Sequence, residues 1–165
     1  MNKAVIIFIV SLYLSFTIRG QSVESFIPKS CKILDSLVID FNKDHLNDFV
    51  MLVEKNPDDS IDYEFGAIII LQGVSPFDYI LKVYNDSLDI NRIELKGLGI
   101  QQDSLIIYSW EGLTAWKSGD DYYCVFDPKN NDWFIVKQLS YSLSVLDPEN
   151  TYTEEIKYLS KKLNQ

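Results

Sequence analysis

With 165 residues, 47% of them hydrophobic and 13% aromatic, the chain can bury one proper core and is too apolar to stay disordered. Its 15 basic residues stand against 24 acidic ones, a net charge of −9. That sign disfavours nucleic acid and anionic lipid, which are recognised by clustered lysine and arginine, and leaves calcium, a basic protein or a neutral glycan as partners.

The chain opens on Met1-Asn2-Lys3 and an apolar stretch over 4–16, the charged start and short hydrophobic run of an export signal. A bilayer span needs about 20 apolar residues, whereas Ser11, Ser15, Thr17 and Arg19 break this one. The expectation is a signal peptide over 1–20, cleaved near Gly20-Gln21, and one β-rich domain over 21–165. That product is expected to be soluble, without membrane insertion, in the periplasm or outside the cell. Cleavage would remove Lys3 and Arg19 and no acid, moving the charge from −9 to −11. Cys31 follows too late, behind Pro28-Lys29-Ser30, to be a lipid-attachment site. In an oxidising compartment Cys31 and Cys124 are expected to form a disulfide, the alternative being two separate small buried hydrophobes.

Short apolar or alternating runs, punctuated by Gly, Pro, Asn and Asp, predict strands over 33–39, 49–53, 67–72, 80–84, 92–95, 104–110, 122–126 and 133–139, with another over 142–146. Asn56-Pro57-Asp58-Asp59, Ser75-Pro76, Gly97-Leu98-Gly99, Gly119-Asp120 and Asp127-Pro128-Lys129-Asn130-Asn131 read as turns. After Asp147-Pro148, Thr151 and Glu154 form a capping-box pattern, and Ile156, Leu159 and Leu163 recur at helical spacing. The fold expected is a mainly β, single antiparallel domain, a twisted sheet or sandwich of about eight or nine strands, closed by a C-terminal helix.

One segment carries specific chemistry. Asp40, Asn42, Asp44 and Asp48 stand at relative positions 1, 3, 5 and 9 of a loop between two expected strands, with the carbonyl of Leu46 at position 7. Hard oxygens at alternating positions suit Ca²⁺, and three neighbouring carboxylates repel one another unless a cation or solvent relieves them. The lack of thiolates and the single imidazole disfavour zinc. Position 12 is Met51 where an EF-hand needs a bidentate glutamate. The bland alternative is a polar turn held by Asp and Asn side chains bonding their own backbone.

The pattern Asp-x-Asn-x-Asp-x-x-x-Asp followed by Phe-Val-Met-Leu-Val resembles the calcium loop of FG-GAP and VCBS-type repeats. Over about residues 26–54 the chain resembles small secreted Bacteroidetes-like proteins carrying a single such loop. The resemblance implies a β-loop-β calcium motif with Asp40, Asn42, Asp44, Leu46 and Asp48 as ligands. Two departures stand out. His45 occupies position 6, where glycine is usual because φ is positive there, and one loop is too few for a propeller.

No nucleophile elbow, metalloprotease helix or phosphate-binding glycine loop is present, and the one histidine, His45, has no oriented partner in sequence. The chain is therefore expected not to be an enzyme, with no catalytic residues. The acidic pairs Asp58-Asp59 and Asp120-Asp121 leave a carboxylate-based periplasmic hydrolase as an alternative. An exported inhibitor or immunity-type protein directed at a basic partner is another. Trp110, Trp116 and Trp133 cluster late in the chain with Tyr122, Tyr123 and Phe134, as core or as a platform for sugar or protein, Trp116 being the most exposed of the three on this reading. The triplets at Asp35-Ser36-Leu37, Asp59-Ser60-Ile61, Asp86-Ser87-Leu88 and Asp103-Ser104-Leu105 resemble a short O-glycosylation signal, or are turn-to-strand chemistry. The expected function is that of a secreted, non-enzymatic binding or envelope-associated module with one structural calcium.

Overall fold

The computed structural model describes residues 21–29, 31–55, 66–86, 94–111, 115–144, 146, 147, 149 and 152–164. The expected signal peptide and the turn at Asn56-Pro57-Asp58-Asp59 lie outside them. Nine strands follow one another: β1 (Cys31–Ile39), β2 (Asp48–Lys55), β3 (Gly66–Ser75), β4 (Asp78–Asn85), β5 (Glu94–Gln101), β6 (Ser104–Glu111), β7 (Trp116–Asp127), β8 (Asp132–Ser144) and β9 (Thr153–Lys162). They form two antiparallel meanders, a sheet of order β1-β2-β3-β4 and a sheet of order β5-β6-β7-β8-β9. Among the described residues no helix is long and apolar enough to cross a membrane.

The two sheets share a core. Val50, Leu52, Ile68, Ile70 and Val83 of the first sheet meet Leu105, Ile107, Cys124, Trp133, Ile135 and the C-terminal Leu163. The opposite face of the first sheet is apolar as well: Met51, Val53, Ala67, Ile69 and Leu71 are buried beneath Val23, Phe26 and Ile27. The covering segment is a short 3-10 turn, Val23–Phe26, whose leading residue Gln21 exchanges two 3.0 Å backbone hydrogen bonds with Tyr79 at the β4 edge. Burial on both faces explains why β2 and β3 read as unbroken apolar runs. The second sheet has one wet face and alternates.

At the sandwich edges two side chains tie the sheets together. Asp35, beside a bulge in β1, accepts a 2.7 Å hydrogen bond from the backbone N–H of Leu98 on β5. The Asn85 amide at the end of β4 donates to the carbonyl of Leu163.

Four sequence expectations are corrected. The C-terminal segment is a strand, because β8 presents a free edge along its whole length and β9 pairs with it from Ser142↔Thr153 to Phe134↔Lys162. Tertiary pairing outweighs the capping box and the helical spacing. The 133–139 and 142–146 segments merge into the single strand β8. Gly97-Leu98-Gly99 and Gly119-Asp120 lie within β5 and β7 and not at turns. Finally, Cys31 and Cys124 are both free: Cys31 packs into the outer cluster of the first sheet while Cys124 lies in the core between the sheets, so the first sheet stands between them. Burial pushes the Cys124 thiol far up from its ordinary range, leaving it protonated and inert.

Candidate functional site

Residues 40–47 connect β1 to β2, which Asp48 opens, and Leu46 and Asn47 lie against Gly73 of β3. Phe41 fixes the loop to the body of the protein: its ring meets Trp133 of β8 edge-on at a centroid distance of 4.5 Å. Asp48, only 4% exposed, fixes the other end. One carboxylate oxygen of Asp48 accepts from the Phe41 N–H at 3.0 Å and the other from the Gly73 N–H of β3 at 3.0 Å. A side chain at position 73 would run into the Asn47 carbonyl oxygen and stand 3.2 Å from the Leu46 Cβ. Gly73→Ala is accordingly expected to lift the loop base and cost about 1–3 kcal/mol, read as a lower urea midpoint with an unchanged slope.

The rim of the loop is organised by its own acids. Asp40 accepts from the N–H of Asp44 at 3.1 Å and of His45 at 2.9 Å. Asn42 Oδ1 takes the Asp44 N–H at 3.0 Å, and its amide nitrogen donates to Asp44 Oδ2 at 2.7 Å. The other oxygen of Asp44 accepts from Leu46 N–H at 2.8 Å. This lets the backbone turn through the left-handed region at Lys43 (φ 62°) and His45 (φ 70°), at a cost of roughly 1 kcal/mol per non-glycine residue. His45 thus adopts the conformation expected of glycine at position 6.

The electrostatics separate two acids. The Leu46 N–H holds the exposed Asp44 carboxyl below its ordinary range; burial opposes this, and the side chains of Asn42 and Gln72 lower it further. Burial pushes Asp48 up, against the N–H groups of Gly73 and Phe41, and the nearby charge of Asp44 adds to the rise. Gln72, reaching the loop from β3, has no motif around it in sequence; only the strand pairing reveals it.

The loop holds oxygen donors of the type calcium takes, and Asp40, Asn42 and Asp44 sit on its rim with a second lone pair on each oxygen. Asp48 differs, since both its oxygens are occupied with backbone donors. Among the described residues no three of His, Cys, Asp and Glu converge as a ready metal cluster.

The other sequence candidates are dispersed. His45 is exposed on the loop. Asp58-Asp59 lies outside the described residues. Asp120 and Asp121 are consecutive on β7 and face opposite sides of the sheet: Asp120 accepts from Gln138 at 2.9 Å and from the Ser140 hydroxyl, while Asp121 stands in the row of Tyr108 and Leu139. They do not line one cleft. Trp133 is core, Trp110 is half-buried with the Lys117 ammonium 4.4 Å from its ring, and Trp116 is 58% exposed. Of the Asp-Ser-apolar triplets, Ser36 is exposed on β1 and Ser104 is half-buried where β6 begins; Ser60 and Ser87 lie outside the described residues. No protein-family model matches the chain, and no curated protein and no solved structure matches it.

Proposed function

We propose that this chain is an exported, non-enzymatic β-sandwich that serves as a binding module and is steadied by one calcium ion in the β1–β2 loop, as in the FG-GAP and VCBS-type loops it resembles. The observation that supports the reading is the positive φ of His45, 70°, at position 6 of the loop, where the FG-GAP and VCBS-type pattern has glycine; the hydrogen bonds from the N–H groups of residues 44, 45 and 46 to Asp40, Asn42 and Asp44 are those of a polar turn as well. Asp40, Asn42, Asp44 and the Leu46 carbonyl would hold the ion, with Asp48 bracing the loop base on β3. Calcium there would offset the repulsion among the carboxylates. The chain's own residues do the rest, Phe41 and Asp48 anchoring both ends so that the rim stays folded.

Thermal melts with calcium and with chelator test this. A loop that offers two carboxylates, an amide oxygen and a carbonyl is expected to bind with a dissociation constant on the order of 10⁻⁴ to 10⁻³ M. At ten times that concentration the added stability is about 1.4 kcal/mol, a rise of a few degrees in Tm. Asp44→Ala removes the response, and Glu54→Gln, on an exposed ion pair with Lys32 far along β2, keeps it. A wild-type melt unchanged up to about ten millimolar calcium, well above that affinity range, sinks the metal reading and leaves a polar turn.

A further inference from the structure

The second sheet turns its outer face to solvent, and the middle of that face is built around Asp121. Register places Tyr108, Asp121, Leu139 and Ile156 in one row across β6, β7, β8 and β9. Tyr108 and Tyr141 flank the carboxylate, each ring occupying the space a side chain would take at Gly99 or Gly119. Asp121 itself is unsatisfied: its Oδ1 is enclosed and has no hydrogen-bond partner. A covered acceptor without a donor costs stability, and a donor that draws the Asp121 side chain outward would relieve that cost. Burial raises the affinity of Asp121 for a proton, the neighbouring Asp120 adds to this, and Lys137 opposes it; the ammonium of Lys137 is engaged 3.4 Å over the Tyr123 ring. The rings of this face already stack on cations, at Tyr123 and at Trp110, while Asp121 feels the Lys137 charge without a hydrogen-bond donor on its Oδ1. Its complement is a positively charged group, in keeping with a chain of net charge −9.

We propose that the outer face of the β5–β9 sheet binds a basic protein partner, one lysine or arginine side chain of which seats between Tyr108 and Tyr141 and pairs with Asp121. This deepens the reading of the chain as a binding module and is independent of the calcium loop, whose test is the melt described above. The probe is a hexa-arginine peptide, followed through backbone amide shifts of the folded protein, with cellohexaose and hexaglutamate alongside. The expected result is a set of shifts centred on Tyr108, Asp121 and Tyr141, and affinity about tenfold weaker in Asp121→Asn. Asp103→Asn removes the same charge from the exposed β5–β6 turn and should leave affinity within about twofold, as expected for an exposed charge away from the contact. The Tm of Asp121→Asn should not fall, since the change removes an unpaired carboxylate, which separates a lost contact from a lost fold. Equal weakening in both variants would mean diffuse charge attraction and overturn the proposal. So would shifts with cellohexaose and none with the peptide, or shifts that follow protein concentration alone, which would assign the face to a glycan or to a second copy.

Discussion

Asp48→Ala is expected to lower the stability of the protein by about 2–5 kcal/mol, because it leaves two enclosed backbone donors, Phe41 N–H and Gly73 N–H, without an acceptor. For a chain of this size that is a fall in Tm of roughly 10 °C. Asp48→Asn, which keeps one amide oxygen, should fall between wild type and alanine. The result separates two roles that the nine-residue motif conflates. A clamp is needed with or without metal, so Asp48→Ala should lose stability equally in calcium and in chelator, whereas Asp44→Ala should lose more in calcium than in chelator, where only its bonds with Leu46 N–H and Asn42 are removed. Acid titration adds a check. Burial raises the Asp48 carboxyl above its unfolded value, so the native state takes up that proton first and Asp48 favours folding as pH falls through the window just above the ordinary carboxylate range. Asp132, lowered chiefly by its hydrogen bond with Lys162, has the opposite sign, and its contribution disappears as pH falls toward its depressed value. Lys162→Ala, which releases Asp132, should therefore make the loss of stability on acidification shallower, and Asp48→Asn should make it steeper.

Trp133→Ala should be the most damaging single change in the core, about 3–5 kcal/mol. Trp133 is 3% exposed and meets two aromatic neighbours, Phe41 at 4.5 Å and Phe126 at 5.7 Å between centroids. Its backbone carbonyl also accepts the Leu163 N–H at 2.9 Å. A domain with about 5–15 kcal/mol in total would be left marginal, and denaturant unfolding followed by circular dichroism would show it. Because Phe41 opens the β1–β2 loop, the damage should reach that loop. In a double-mutant cycle Phe41→Ala should cost less in the Trp133→Ala background, by about 0.5–1.5 kcal/mol for a lost aromatic pair. Additive losses would mean the loop is not anchored through this contact.

Much of this architecture is legible in the residues. Alternation and turn chemistry locate β1, β2, β3, β4 and β6 to within a few positions, while β5 shares only residues 94 and 95 with its expected range, β7 begins six residues before its expected start and β8 runs on past 139; Ser75-Pro76 and Asp127-Pro128 mark turns the structure has. The errors share a cause, which is that a sequence window holds no neighbours. Thr151 to Glu154 looks like a helix start, and only the unpaired edge of β8 makes the following residues a strand. Gly97, Gly99 and Gly119 look like punctuation, but Gly99 and Gly119 make room for tyrosine rings from the adjoining strands. Two cysteines behind a start that reads as an export signal suggest a bridge until the first sheet is seen to lie between them. At the loop, the spacing of Asp40, Asn42, Asp44 and Asp48 picks out four side chains that all accept hydrogen bonds from backbone N–H groups of the loop. It does not distinguish the rim acids from the buried clamp, because that difference arises from Gly73 and Phe41, which touch Asp48 only in three dimensions.

The succession of hairpins has a consequence for how the chain reaches this state. Each strand finds its partners next to it in sequence, so either sheet can zip up through short loop closures, without the distant threading that slows Greek-key sandwiches. The hydrogen bonds that tie the sheets across long stretches of chain include Asp35 to Leu98 across 63 positions and Asn85 to Leu163 across 78, beside the Phe41–Trp133 ring contact and the shared core. Assembly then has the character of two locally wound ribbons that latch at their margins, and the latches, more than the ribbons, set when the core becomes dry.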